Sequence, residues 1–285
     1  MPGNMPNGPS DTNSSKPAAK DVITIGNAIV DVVANSDDSE LMGLGLDKGM
    51  MTLIDADRAD ELYSKMGPGR EISGGSAANT AAGIAALGGS TGYIGKVRND
   101  TLGGIFRHDI KAAGVSFDSK DLTDGPPTAR CLIFVTPDAQ RTMQTFLGAC
   151  VELQPEDVAP ALIASAKVTY MEGYLWDKES AKAAFVKAAE AAHAAGREVS
   201  LTLSDPFCVD RHRESFLDLV ENHIDILFAN EDEICSLYQV DDFDAALQKV
   251  RGHVRVACLT RGPQGSVIAT PDEVHVIDAA PVSKL

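Results

Sequence analysis

The segment Glu71–Gly95, EISGGSAANTAAGIAALGGSTGYIG, constrains the fold of this chain more than any other. It reads as a strand around Ile72, a glycine pair Gly74-Gly75, a helix over Ala77–Leu87, a second pair Gly88-Gly89 and a strand Thr91–Gly95. A diglycine at a helix entry exposes bare backbone where the first-turn N–H groups lack intrahelical partners. Asn79, on that first turn, carries an amide that both donates and accepts. Such a mouth suits a polar, hydroxyl-rich ligand. The same small residues also suit a helix packed tightly on a sheet, and the segment alone does not separate the two.

From Asp21 onward, β-branched runs alternate with alanine-rich helical stretches. Strands are expected at Val22–Ile25, Thr91–Ile94, Val168–Met171, Val199–Thr202, Ile224–Phe228 and Val256–Leu259. Helices are expected at Ala77–Leu87, Leu102–Ala113, Lys178–Ala194, Arg211–Val220 and Asn230–Leu237. This rhythm predicts a mostly parallel sheet covered on both faces. Gly114 and Gly196 fall where helix C-caps belong. Two regions break the rhythm: Val30–Asn35 with Gly49–Ile54, and Ala129–Val135 with Met143–Phe146. They predict a small antiparallel sheet, with lid strands near 30–54 and 129–146, and Thr136–Arg141 as a hairpin connection. A lid, a dimer surface or plain decoration would each fit such a sheet.

The chain has 285 residues, enough for one large α/β domain, and a net charge of −16. That charge argues against nucleic acid and anionic membranes as partners, since phosphate binding needs a concentrated basic face. No apolar run approaches the roughly 18 residues of a membrane span. Five scattered cysteines, with no CxxC, read as reduced thiols of a cytoplasmic protein. Residues 1–20 are rich in Pro, Asn, Ser and Gly and read as a disordered tail, leaving 21–285 as the folded domain.

Several nucleotide and hydrolase motifs fail. Ser90–Val97, STGYIGKV, lacks the first glycine and the hydroxyl of a phosphate-binding P-loop. No GxGxxG follows the first strand, no GxSxG elbow is present, and the six histidines show no metal-ligand spacing. Other features hold. Asn27 and Asp31 in GNAIVDV follow the first strand, where open α/β sheets bind ligands, and together suit a pair of hydroxyls. A local Asx turn is the competing reading. Asn230 opens NEDE as a plausible N-cap, and Glu233 one turn in would order a hydrated Mg²⁺ through water. Thr260-Arg261-Gly262-Pro263-Gln264-Gly265 leaves backbone N–H groups open to a phosphate or adenine edge, though hairpin turns often look alike. Arg141, in the lid hairpin, is the basic residue placed to reach over a site.

The order GNxxxD, SGGSAANTA, lid Arg, NxxE and TxGxxG resembles the ribokinase-like (PfkB) carbohydrate and nucleoside kinases from about Asp21 to the end. GNAIVD, ISGGSAANTAAGIAALGG and LGACVEL look most like the adenosine kinase branch. The resemblance implies a three-layer α/β/α sandwich with a β lid, ATP with Mg²⁺, and phosphorylation of a hydroxymethyl group. It implies that Asn27, Asp31, Gly74, Gly75 and Asn79 bind the acceptor, and that Arg141 approaches the transferred phosphate. Asn230, Thr260, Gly262 and Gly265 would serve the ATP side and Glu233 the metal, indirectly. One departure is marked. The Gly-Ala-Gly-Asp segment that holds the family's catalytic base is absent, and Asp109, Asp205 and Asp225 sit in no matching glycine turn. The expectation is therefore a C-terminally truncated, inactive kinase. Three readings stand: a purine-nucleoside kinase of purine salvage (adenosine to AMP), a sugar kinase acting on ribose or fructose, and a non-catalytic binding protein. A monomer or a homodimer fits each.

Overall fold

A computed structural model describes residues 18–281. The first seventeen residues, most of the expected disordered tail, lie outside the described residues. Lys20 already opens β1 (Lys20–Ile25), one residue before the domain start read from the sequence.

The chain continues as β2 (Ile29–Asn35), α1 (Asp38–Gly43), β3 (Met51–Leu53), α2 (Ala56–Lys65), β4 (Arg70–Gly74) and α3 (Ser76–Ala86). Next come β5 (Thr91–Ile94), α4 (Thr101–Ala112), β6 (Ser116–Phe117), β7 (Ala129–Val135), β8 (Arg141–Phe146), α5 (Pro160–Ala164) and β9 (Ala166–Glu172). The remainder is α6 (Glu179–Ala194), β10 (Glu198–Thr202), α7 (Pro206–His223), β11 (Ile226–Asn230), α8 (Glu231–Tyr238), α9 (Phe243–Val250), β12 (Val256–Thr260), β13 (Ser266–Ala269) and β14 (Val274–Ile277).

Nine strands form the main sheet in the order β14-β13-β12-β11-β10-β9-β1-β5-β6. It is parallel from β6 to β12, and β13 and β14 join antiparallel. Ile23 and Ile25 of β1 point into the larger core, with Phe185 of α6, Phe216 of α7, Ile234 of α8 and Leu247 of α9. Tyr93 of β5 points the other way, into a second core with Ala77 and Ala81 of α3 and Phe106 of α4. Helices thus cover both faces, because strands buried on two sides must be apolar at every position. The helix at Ala77–Leu87 is so rich in alanine because it lies close against β1 and β5; all three of its buried residues are alanines. Gly114 and Gly196 take left-handed φ values of 88° and 64° just past α4 and α6, as C-cap glycines do.

The smaller sheet has five strands, in the order β3-β8-β7-β2-β4. It is mixed, whereas the sequence suggested an antiparallel sheet. β2 runs parallel to β7 and β3 parallel to β8, while β2–β4 and β7–β8 are antiparallel. The segment Gly49–Ile54 pairs with β8 instead of β2, and the strand around Ile72 belongs to this smaller sheet. Val32, Leu132 and Phe134 on the outer face pack under Leu41 and Leu62 of α1 and α2.

Helix α7 is longer than its periodicity indicated. Asp205 caps its start, and His212 breaks the regular backbone (φ −132°, ψ 26°), so the apolar period resets midway.

Candidate acceptor and nucleotide sites

The parallel strands all end at one edge of the main sheet. Gly26 and Asn27 follow β1, Glu172 ends β9, Ser204 and Asp205 follow β10, Asn230 ends β11 and Thr260 ends β12. The chain runs from β1 outward to β5 on one side and returns to β9 on the other. The β1/β9 boundary is therefore the switch point, where open α/β sheets form their ligand crevice.

At that boundary the residues interlock. Glu172, 1% exposed, accepts from Asn27 Nδ2 at 3.2 Å and from the Ala77 N–H in the first turn of α3 at 2.9 Å. Gly26 is glycine because a Cβ there would collide with the Glu172 carboxylate and lie 2.6 Å from Ala77 Cβ. A Cβ on Gly74 would strike the Asp31 carboxyl group. Gly75 has φ 93°, and a Cβ there would meet the Asn27 carbonyl. The diglycine thus makes room for the Asp31 side chain, for the Asn27 carbonyl and for a left-handed turn into α3.

Asp31 is the third residue of β2 and not part of a turn beyond β1; its neighbours across the lid are Ile72 and Cys131. Burial pushes its carboxyl up to about 6. Burial likewise raises Glu172, against the hydrogen bonds from Ala77 and Asn27 that favour its charge. Asn27 is 1% exposed, and its Oδ1 has no hydrogen-bond partner among the described residues. An acceptor left alone in the interior costs about 1–3 kcal/mol until a donor arrives. Asn79 lies one turn into α3 with its side chain exposed and its N–H bonded to Gly75 O at 2.9 Å.

The inner lid face carries two cross-strand rows. One contains Ile72, Asp31, Cys131, Thr145 and Leu53; the next contains Arg70, Val33, Ile133, Met143 and Met51. On this face Met51 and Leu53 are 42% and 45% exposed, while Cys131, Thr145 and Ile133 are buried. Arg141 shares the face but begins β8, four residues from Thr145, so it is about 13 Å along the strand. The structure does not bring it to Asp31 in this arrangement.

The nucleotide-side residues behave differently. Asn230 and Glu233 form a reciprocal capping box: Glu233 N–H donates to Asn230 Oδ1 at 2.8 Å, and Asn230 N–H to Glu233 Oε2 at 3.0 Å. Asn230 Nδ2 also reaches Glu233 Oε1 at 2.7 Å, so both carboxylate oxygens are engaged. Burial raises the Glu233 pKa, with Asp205 and Asp232 adding to the effect. Gly262 takes φ 54° with open space around it, while a Cβ on Gly265 would meet the backbone of Ile277 and Ala279. The second glycine therefore serves the packing of β14, and Thr260 and Gly262 remain open. Arg261 is held by Glu231 at 3.0 and 3.1 Å and stacks 4.0 Å from the Phe243 ring centroid. Among the described residues no group of three or more His, Cys, Asp or Glu is gathered to hold a metal. With Glu233 engaged in its cap, these side chains do not make a direct Mg²⁺ site.

The aspartates outside a glycine turn have structural partners. Asp205 Oδ1 caps α7 through the Phe207 N–H at 2.7 Å, Asp109 Oδ2 accepts from the Ser73 N–H at 3.3 Å, and Asp225 Oδ2 from the Val199 N–H at 2.7 Å. Glu172 is the residue that sequence reasoning missed. Its strand was expected to end at Met171, and the available signal was an acid closing an otherwise apolar run, VTYME.

The carboxyl edge of the mostly parallel sheet thus has its switch point at Asn27 and Glu172, with the smaller sheet beside it, the arrangement in which open α/β sheets take up ligands. The sequence matches the pfkB family carbohydrate kinase profile over residues 19–285, and the chain belongs to that family. It is 53% identical to an adenosine kinase from Sinorhizobium meliloti of known structure, with a TM-score of 0.85 over 94% of this chain and 82% of that one. A probable sugar kinase from Rhizobium etli CFN 42 is 51% identical, with a TM-score of 0.85 over 94% of this chain and 81% of that one. Guanosine-inosine kinase of Escherichia coli K12 is 27% identical over 88% of this chain. The chain spans 61% of that kinase's length, and 55% of another curated relative's. Among the described residues no helix is long and apolar enough to cross a membrane.

Proposed function

We propose that this protein is an ATP-dependent phosphotransferase that phosphorylates the 5′-hydroxyl of a purine nucleoside, with adenosine as the first candidate and AMP as its product. The observation that carries this reading is the inner lid face. A carboxylate for sugar hydroxyls stands one row from Val33, Ile133, Met143 and Met51, an apolar stretch that Arg70 closes at its β4 end. A free sugar has no use for that apolar row, whereas a nucleobase attached to a ribose would lie on it and bury it.

In this reading Asp31 and Asn27 accept from the ribose hydroxyls, and the diglycine lets the sugar approach the first turn of α3. Asn79 stands on the same turn. The reaction asks mainly for positioning and for positive partial charge around the phosphoryl group. Arg141 would provide that charge after the lid closes. Asn230, Thr260 and Gly262, at the ends of β11 and β12, would face ATP. Gly265 shapes the same turn from behind. Mg²⁺ would come with the nucleotide, with Glu233 at most an outer partner through water. The outer lid face is covered by the chain's own α1 and α2, which supports a monomer over a lid-to-lid dimer. All five cysteines are free thiols, buried or half-buried, which accords with a cytoplasmic protein.

The 51% likeness to a probable sugar kinase favours the second reading, a kinase for ribose or fructose. A coupled ADP-release assay with adenosine, inosine, ribose and fructose separates them. Turnover of adenosine that ribose does not inhibit supports the nucleoside reading. Preference for a free sugar replaces it with the second. Binding of adenosine without ADP release leaves a ligand-binding protein.

A further inference from the structure

Asn27 is a symmetric-looking amide with a consequential choice of face. One end is a double donor and the other an acceptor, and which end meets the ligand decides what the ligand must offer. Glu172 acts as an acceptor towards both Asn27 and the Ala77 N–H, and in that role it admits only the NH₂ end of Asn27. That contact is made, at 3.2 Å, and the opposite end, Oδ1, is left buried without a partner. Glu172 is itself held from several directions. Its other oxygen accepts from Ala77 N–H at 2.9 Å, and the nearby Ser76 hydroxyl and Asn27 backbone favour its charged form. Gly26 leaves the space that the carboxylate fills.

We propose that Glu172 is a positioning residue that sets the amide orientation of Asn27, so that Asn27 and Asp31 both meet the ligand as hydrogen-bond acceptors and select ligands with two hydroxyl donors. The proposal rests on the reading that Asn27 and Asp31 hold the ligand's hydroxyls. Asp31 accepts as a carboxylate and Asn27 through Oδ1. A ligand whose hydroxyl is exchanged for fluorine cannot donate to either and is refused. Glu172→Gln changes this without changing the volume. The glutamine carbonyl keeps the Ala77 N–H, its NH₂ turns to Asn27, and the Asn27 amide rotates to offer Oδ1 to it. The NH₂ of Asn27 then faces the ligand.

The test uses the full chain and two readouts. In the first, calorimetric titration compares adenosine with its 2′-deoxy-2′-fluoro and 3′-deoxy-3′-fluoro analogues. The wild-type protein is expected to prefer adenosine at least tenfold over one of them, and Glu172→Gln to narrow that preference below threefold. A Glu172→Gln protein that keeps the tenfold preference overturns the proposal. The second readout needs no ligand. In the ¹H–¹⁵N spectrum, the Asn27 side-chain NH₂ pair, identified by its loss in Asn27→Asp, is expected to exchange slowly and to move on Glu172→Gln. An Asn27 pair in fast exchange with water in the wild-type protein overturns the proposal, even where Glu172→Gln fails to fold. If the wild-type protein binds no adenosine, the nucleoside reading falls by itself and the spectrum alone decides the role of Glu172.

Discussion

The two ends of the crevice are built on opposite principles. At the β1/β9 end, glycines give up their Cβ positions to Asp31, Glu172 and the Asn27 backbone, and a buried acceptor is left over. At the β11/β12 end, polar groups satisfy one another: Asn230 caps against Glu233, and Arg261 is clamped by Glu231 over Phe243. The sheet follows the same division. α3 covers the face around Tyr170, while Phe228, one ring contact away on that face, stays 40% exposed. A buried acceptor without a partner calls for a donor, which a ligand can supply, whereas groups that are already paired are first of all a piece of stable structure.

Changes at the first end should therefore have large effects, on binding or on the fold that shapes the site, and changes at the second should alter stability only mildly. Asp31→Ala carries the largest expected effect: removing a charged acceptor for two hydroxyls should weaken adenosine binding by about 3–4 kcal/mol, or 10²–10³-fold, by calorimetry. Unchanged affinity would remove Asp31 from the site. Gly75→Ala comes next, since it meets both a left-handed φ and the Asn27 carbonyl; a loss of about 2–4 kcal/mol in urea unfolding is expected. A Gly75→Ala protein as stable as wild type would mean that the turn relaxes freely.

The third prediction concerns pH. With its carboxyl at about 6, Asp31 should accept hydroxyls fully above pH 6 and lose them as pH falls through 6. Affinity should drop about tenfold for each unit below that value. The stability effect has the opposite sign. The folded pKa lies above the ordinary 3.8, so folding binds protons, and stability declines as pH rises from about 4 to about 6. Asp31→Asn should remove that decline and raise neutral-pH stability, by at most about 3 kcal/mol, while losing affinity. An affinity profile flat from pH 5 to 8 would break the link between Asp31 and the ligand. The smallest effect is at the other end. Asn230→Ala should cost about 1 kcal/mol through its cap and leave adenosine affinity within twofold. A larger affinity loss would erase the contrast between the two ends.

Much of this architecture is legible in the order of residues alone. GNAIVD, the SGGSAANTA helix entry and NEDE all lie at strand ends along one edge, as their order implied. Elements with strong local signals, such as α3, α4 and α6, fall within two residues of their expected bounds. The lid was legible as a set of strands but not as a pairing, because β2 joins β7 across more than ninety residues and no local pattern encodes that choice. Glu172 was missed for a related reason: its partners Asn27 and Ala77 are 145 and 95 residues away.

The amino-acid sequence by itself determined the strand–helix alternation, the glycine positions and the types of side chain available at each strand end. These follow from periodicity and from backbone sterics, which act over a few residues. Only the tertiary structure decided which of those side chains meet. It set Glu172 against Asn27 and Asp31 over Gly74, and it turned Glu233 into a cap. Burial is a property of the assembled layers, and burial is what raised the Asp31 carboxyl, isolated Asn27 Oδ1 and so set these residues apart from the exposed polar ones.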